Sequence, residues 1–345
     1  MAILERTKPC MKVCMMGPRA VGKTTILTAV FNETKNSISD TFLKLTARGD
    51  TDAALDARLK ELKAAFKYKE DISTVGQTPN AGLAATAVES EFLFSFGILG
   101  KEPVLDMEIK DFPGERVDDN PQRVTQFIRE STAVFIAIDT PHMMELDGKY
   151  NEVKNRTADI TKFFRQAIND IDKEKLVILI PLKCEKYQHE GRMSEVLECT
   201  KKTYSELVKL FSQHGRICCT IAPIITLGGV EFECFNMDDT NQVIVNAKGV
   251  PEHVKYKYVS ENAKYQPLFC SQPLYAMLSF IAAEYQRIKD NGSIWEKLKD
   301  WIRNFFESDS RLFSEILKME KHRISDNKEL GYEVVCGGQL FHYNH

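Results

Sequence analysis

The octet Gly17-Pro18-Arg19-Ala20-Val21-Gly22-Lys23-Thr24 leaves few folds open to this chain. It fits G-x-x-x-x-G-K-[ST], a loop whose backbone amides close around a phosphate. Such a loop needs a buried strand before it and a helix after it. Met11-Lys12-Val13-Cys14-Met15-Met16 is a short apolar run that suits the strand, and Thr25 to Phe31 continues as the helix. Glycine is required because converging amides need backbone conformations that a Cβ obstructs. The amides and the positive helix end then hold a β-phosphate. On this reading Gly17, Arg19, Ala20, Val21, Gly22, Lys23, Thr24 and Thr25 are nucleotide-binding residues. Lys23 reaches the β- and γ-phosphates, and the Thr24 hydroxyl ligates Mg²⁺.

The 345 residues suffice for one enlarged domain or two modest ones. Net charge is −3, which gives no wholesale surface for nucleic acid or anionic lipid. Neither a nucleic-acid partner nor membrane contact is expected. Nine cysteines are scattered without metal-like spacing. Cys14, Cys218 and Cys219 lie in apolar runs and read as buried thiols, which predicts a reducing, cytoplasmic setting. No signal-peptide pattern, bilayer-length apolar run or C-terminal prenylation signal is expected to alter that.

Apolar runs alternate with amphipathic stretches, which predicts an α/β fold with a largely parallel sheet. Strands are expected at 12–16, 91–96, 104–111, 133–139, 176–181 and 217–226. Helices are expected at 24–32, 122–130, 157–171, 193–212 and 273–288. Only Gly97 to Pro103 joins the second and third strands, too few residues for a crossover helix, so these two form an antiparallel hairpin. Two insertions enlarge the core, at about 37–72 and 229–267. Leu55, Leu59, Leu62 and Phe66 mark an amphipathic helix in the first, with Arg58, Lys60, Glu61 and Lys63 on its polar face. In the second, 230–235 and 243–245 suggest short strands, and the basic, aromatic cluster 253–258 reads as a solvated hairpin face. The expected division is a nucleotide-binding domain over 8–290 and a helical C-terminal extension and tail over 291–345. In that extension Ile294, Leu298, Trp301, Ile302 and Phe305 form one apolar stripe, expected to pack on the core.

Further site residues follow in order. Asp111-Phe112-Pro113-Gly114 ends the third strand with an acid and a turn. Asp111 suits the Mg²⁺ side and the Gly114 amide the γ-phosphate. Loss of that phosphate would release the segment that follows. A Thr before the second strand completes the Mg²⁺ shell; Thr78 and Thr86 both qualify, and Thr86 is nearer the strand. Leu182-Lys183-Cys184-Glu185 ends the fifth strand. There the Lys183 stem would cover a purine, and Glu185 would accept from the two donors on the guanine edge. Thr226-Leu227-Gly228-Gly229 offers a backbone amide to the guanine carbonyl oxygen.

G-P-R-A-V-G-K-T, the hairpin, D-F-P-G and L-K-C-E, in that order, resemble the translation-factor class of P-loop GTPases with a Ras-like mixed sheet carrying one antiparallel edge strand. The inserts and the D-F-P-G are similar to divergent bacterial branches such as the double-GTPase group. The resemblance covers about 12–289. It implies GTP/GDP as bound nucleotide, Mg²⁺ as cofactor, slow hydrolysis, and a conformational switch read by a protein effector or regulator. It also implies a catalytic set of Lys23, Thr86 and Glu115, with Thr24, Thr86 and Asp111 on the metal. Two departures stand out. Glu115 takes the place of the glutamine that orients water, with Arg116 beside it. Arg19 stands where many small GTPases carry glycine. A non-hydrolysing, nucleotide-bound scaffold and a P-loop ATPase are the alternative readings.

Overall fold

The computed structural model describes residues 10–37, 41–68, 90–112, 121–252, 254–291, 302, 305–318 and 332–340. Its first unit is strand β1 (Cys10–Met16), the phosphate-type loop, and helix α1 (Lys23–Ser37). The first insertion then adds β2 (Leu43–Ala47) and α2 (Asp50–Tyr68). The hairpin follows as β3 (Ser90–Ile98) and β4 (Leu105–Asp111), and then α3 (Pro121–Glu130) and β5 (Ala133–Asp139). Two short helices, α4 (Thr140–Met144) and α5 (Asn151–Asn155), lead into α6 (Thr157–Ala167) and β6 (Lys175–Leu182). After α7 (Glu185–His189), α8 (Met193–Thr203) and α9 (Ser205–His214) comes β7 (Ile217–Ile221). The second insertion holds β8 (Val230–Cys234) and β9 (Lys255–Tyr258), and α10 (Gln272–Asn291) and β10 (Glu333–Cys336) complete the order.

Eight strands form one mixed sheet in the order β10-β7-β6-β5-β1-β4-β3-β2. The five from β7 to β4 are mutually parallel. β5 and β6 are buried along their whole length, as expected of parallel strands covered on both faces. β3 runs antiparallel to β4 with Ser90 opposite Asp111, the hairpin that the short connection dictates. The sheet continues past that hairpin: β2 pairs antiparallel with β3, and β10 pairs antiparallel with β7 at the opposite edge.

The period-two alternation of β1 sorts its side chains between two cores. Val13 and Met15 face one side with α1, α10 and Ile302, Phe305, Phe306, Leu312 and Ile316. Cys14 and Met16 face the other with α3, α6 and α9, where Phe164 and Phe211 stack edge-on at 4.8 Å. Each buried side chain of this size contributes ~1.5–3 kcal/mol. Phe305 sits 6.1 Å from Phe96 of β3, so Phe305 of the C-terminal stripe packs on the sheet; Ile294, Leu298 and Trp301 lie outside the described residues.

Several expected elements differ in extent. β2 was not expected within the first insertion. The strand at 217–226 ends at Ile221, and beyond Pro223 only an isolated bridge, Ile225 to Leu268, remains. The helix expected at 193–212 is two helices meeting at Tyr204. The short strand at 243–245 consists of isolated bridges. β8 pairs antiparallel with β9, and the face expected to be solvated is so only in part: Lys255 and Lys257 are exposed, while Tyr256 and Tyr258 are half-buried.

Candidate functional site

The C-terminal ends of β1, β4, β5 and β6 open on one edge of the sheet, the place where α/β folds bind ligands. The loop after β1 holds Gly17 at φ +148°, Ala20 at φ 58° and Gly22 at φ +106°. Gly17 is obligatory on two grounds: its backbone conformation, and the 2.8 Å that would separate an added Cβ from both Cβ and O of Ala137 in β5. The first intrahelical bond of α1 is Ile26 N–H to the Gly22 carbonyl, at 2.8 Å. The amides of Lys23, Thr24 and Thr25 precede it and form the donor end of the helix.

Lys23 lies inside this loop. Its Nζ donates to the carbonyls of Gly17 at 3.2 Å and Pro18 at 3.4 Å, and stands 3.4 Å from Asp111 Oδ1. Parallel pairing puts Asp111 there by register, since Met15 of β1 lies opposite Asp111 of β4. Asp111 Oδ1 is buried and receives no hydrogen bond. Burial pushes the Asp111 carboxyl up to about 6, against the pull of Lys23. A buried carboxylate oxygen that only the Lys23 ammonium approaches has the hard-oxygen chemistry that a divalent cation takes, and on that chemistry Asp111 suits Mg²⁺. Among the described residues no group of three or more His, Cys, Asp or Glu side chains forms a metal cage.

Asp139 is a site residue that the motifs did not flag. It ends β5, is fully buried, and accepts from Lys183 Nζ at 2.8 Å while pairing with His142 Nδ1 at 2.6 Å. Burial works against its charge, yet His142 and Lys183 outweigh it and hold the carboxyl well below its ordinary range. Asn155 fixes the Asp139 backbone from both sides, accepting its N–H at 2.8 Å and donating to its carbonyl at 3.1 Å. Lys154, next in the chain, donates to the Arg19 carbonyl at 3.0 Å and so braces the loop. Burial draws its ammonium down to about 8, and Lys183, Lys23 and Arg19 add to that against Asp139. Lys23, Arg19 and Lys154 thus gather at the loop, with Lys183 near enough to repel Lys154. The only sequence signal for Asp139 was an acid closing an all-apolar strand, and Asn155 and Lys154 gave none.

At the other end, Lys183 has φ 59° and its Nζ lies 5.5 Å from the Tyr256 ring centroid of β9. Glu185 is buried, and its Oε1 accepts from the amides of Leu227 at 3.0 Å and Gly228 at 3.4 Å. Burial raises its carboxyl despite those amides. Lys183, Glu185 and the Thr226–Gly229 segment therefore do come together. Of the remaining expected residues, Arg19 and Ala20 are exposed on the loop, and Val21 and Thr25 are buried. Thr24 is half-buried as the second residue of α1. Thr78, Thr86, Gly114, Glu115 and Arg116 lie outside the described residues. Among the described residues no helix is long and apolar enough to cross a membrane.

No protein-family model matches the chain, and no curated protein matches it. Among solved structures it is similar to the GTPase-like domain of S. cerevisiae Ski7 bound to GTP, with a TM-score of 0.40 and 12% identity over 75% of this chain. The same domain bound to GDP and inorganic phosphate gives a TM-score of 0.35 and 14% identity over 71% of this chain. In each case the match spans 48% of the neighbour, about half its length.

Proposed function

We propose that this chain binds a guanine nucleoside triphosphate with Mg²⁺, hydrolyses it slowly, and reports the bound state through the segment after β4. The observation that carries the reading is Lys23: a buried ammonium held by the Gly17 and Pro18 carbonyls and 3.4 Å from Oδ1 of the buried Asp111. Cations gathered around a loop that leads into the donor end of α1 call for a polyanion. In the proposed complex the loop amides and Lys23 hold the β- and γ-phosphates. Thr24 and Asp111 hold Mg²⁺, which when bound neutralises charge on the phosphate oxygens. Lys183 covers the purine, and Glu185 faces its edge. Thr86, Gly114 and Glu115 keep their proposed places on the metal, the γ-phosphate and the attacking water, and effector binding belongs to the same proposal.

One observation favours a weaker base preference. Glu185 Oε1 is already engaged by the Leu227 and Gly228 amides, leaving one oxygen for the base. That is the basis for keeping a P-loop ATPase as the second reading. Calorimetric titration with GTP, GDP and ATP, each with Mg²⁺, decides between them: tighter binding of GTP supports the first and of ATP the second. Single-turnover hydrolysis then separates a switch from a scaffold, since a scaffold retains the triphosphate unchanged.

A further inference from the structure

Arg58 was expected on the solvated face of the first insertion's helix. It is instead turned inward, with only 15% of its side chain exposed. Its Nη2 donates to Thr25 Oγ1 at 2.9 Å, one residue past the octet, and its Nη1 reaches Glu61 at 3.3 Å. Arg58 Nε is buried and has no acceptor. A second buried donor without a partner, the Tyr265 hydroxyl, stands close enough to feel the Arg58 charge. An arginine has donors only, and a phenol offers one more. Neither Arg58 Nε nor the Tyr265 hydroxyl finds a partner among the described residues.

Their place along the site is set by α2. Arg58 meets Thr25 at the helix end of the phosphate-type loop. Eight residues on, ~12 Å along a helix, Phe66 packs against Gly229, where an added Cβ would come within 2.5 Å of its ring. Phe66 also stacks on Tyr258 at 5.8 Å and Tyr265 at 6.1 Å, and the Tyr258 hydroxyl donates to the Ala65 carbonyl at 2.8 Å. Tyr265 precedes Gln266, whose N–H bonds to the Leu227 carbonyl in the base motif. The two insertions therefore join between the Thr25 end of the loop and the base motif. The orphaned donors sit in that span.

We infer that Arg58 and Tyr265 form the subsite for the α-phosphate and ribose of the bound nucleotide. This rests on the nucleotide reading above and gives the insertions a part in it. Arg58 supplies a charge-assisted bond to an α-phosphate oxygen from Nε, and Tyr265 donates to the adjoining phosphate or ribose oxygen.

The test is calorimetric titration of wild type, Arg58→Gln and Tyr265→Phe with GTP, GDP, GMP and guanosine. Wild type is expected to bind GMP more tightly than guanosine. Arg58→Gln should lose about tenfold in affinity for GMP, GDP and GTP alike, and Tyr265→Phe a smaller factor, with guanosine unaffected. Tyr265→Phe removes an unsatisfied hydroxyl, so without nucleotide it should melt no lower than wild type. A purely structural tyrosine would not combine undiminished stability with weaker binding. Should Arg58→Gln fail to fold, Tyr265→Phe and the wild-type comparison of GMP with guanosine carry the test. Unchanged affinities in the variants, or a loss confined to GTP, would overturn the subsite while leaving the nucleotide reading intact. A wild type that binds no guanine nucleotide would overturn both.

Discussion

The Lys23 ammonium and the Asp111 carboxylate meet 3.4 Å apart with less than a tenth of either side chain exposed. The pair joins the loop after β1 to the end of β4, and it is incomplete, because Asp111 Oδ1 receives no hydrogen bond. Burial therefore dominates, and the carboxyl titrates at about 6.

That value gives a pH dependence of known sign. An acid raised from its ordinary 3.8 to about 6 holds its proton more tightly folded than unfolded. Its contribution favours the folded state below both values and turns against it as pH rises from about 4 through 6. Between pH 7 and pH 5 the nucleotide-free protein should gain ~1 kcal/mol from this group. Asp111→Asn should be the more stable protein at pH 7, with its advantage shrinking toward pH 5. Urea unfolding of both proteins at the two pH values measures this, and a constant difference would contradict it.

Gly17→Ala should destabilise the protein by about 1–3 kcal/mol through overpacking. Its Cβ would come within 2.8 Å of Ala137 in an unfavourable backbone conformation. Gly49→Ala is the control, with positive φ and nothing within 4 Å. It should cost only the left-handed penalty, ~1–2 kcal/mol. Equal melting temperatures for Gly17→Ala and wild type would mean that the loop does not sit against β5 as described.

The sheet was largely legible because its central strands are unbroken apolar runs that no other element needs. β2 was not, since Leu43-Lys44-Leu45-Thr46-Ala47 is only five residues of alternating character inside an insertion. The break at Tyr204 was hidden because the apolar spacing runs through it, and Tyr204 is itself buried. The strand-loop-helix around the octet and the place of Asp111 beside Lys23 were legible because local spacing and strand register determine them. Asp139, Asn155 and Lys154 were not, because tertiary folding alone brings α4 and α5 back over the end of β5. Arg58 shows the same limit from the other side: helical periodicity marks a polar face, not which polar residue on it turns toward α1.

Glu185→Gln should separate stability from base selection. Glutamine keeps an oxygen for the Leu227 and Gly228 amides, so the melting temperature should change little. Its amide nitrogen then opposes the guanine donors, and the preference for GTP over ATP should fall about tenfold. Glu185→Ala should instead cost about 1–3 kcal/mol, because both amides lose their acceptor. Competition binding and thermal denaturation check the two outcomes; a Gln variant with undiminished GTP preference would remove Glu185 from base recognition.

The central claim is that the loop and Lys23 enclose a Mg²⁺-bound triphosphate. It is tested most directly by titrating wild type and Lys23→Ala with GTP and Mg²⁺ in a calorimeter, with circular dichroism confirming that both are folded. The account predicts saturable one-to-one binding by wild type and a loss of at least about a hundredfold in the variant. Equal affinity in the two folded proteins, or no heat of binding from wild type with either GTP or ATP at millimolar concentration, would contradict it.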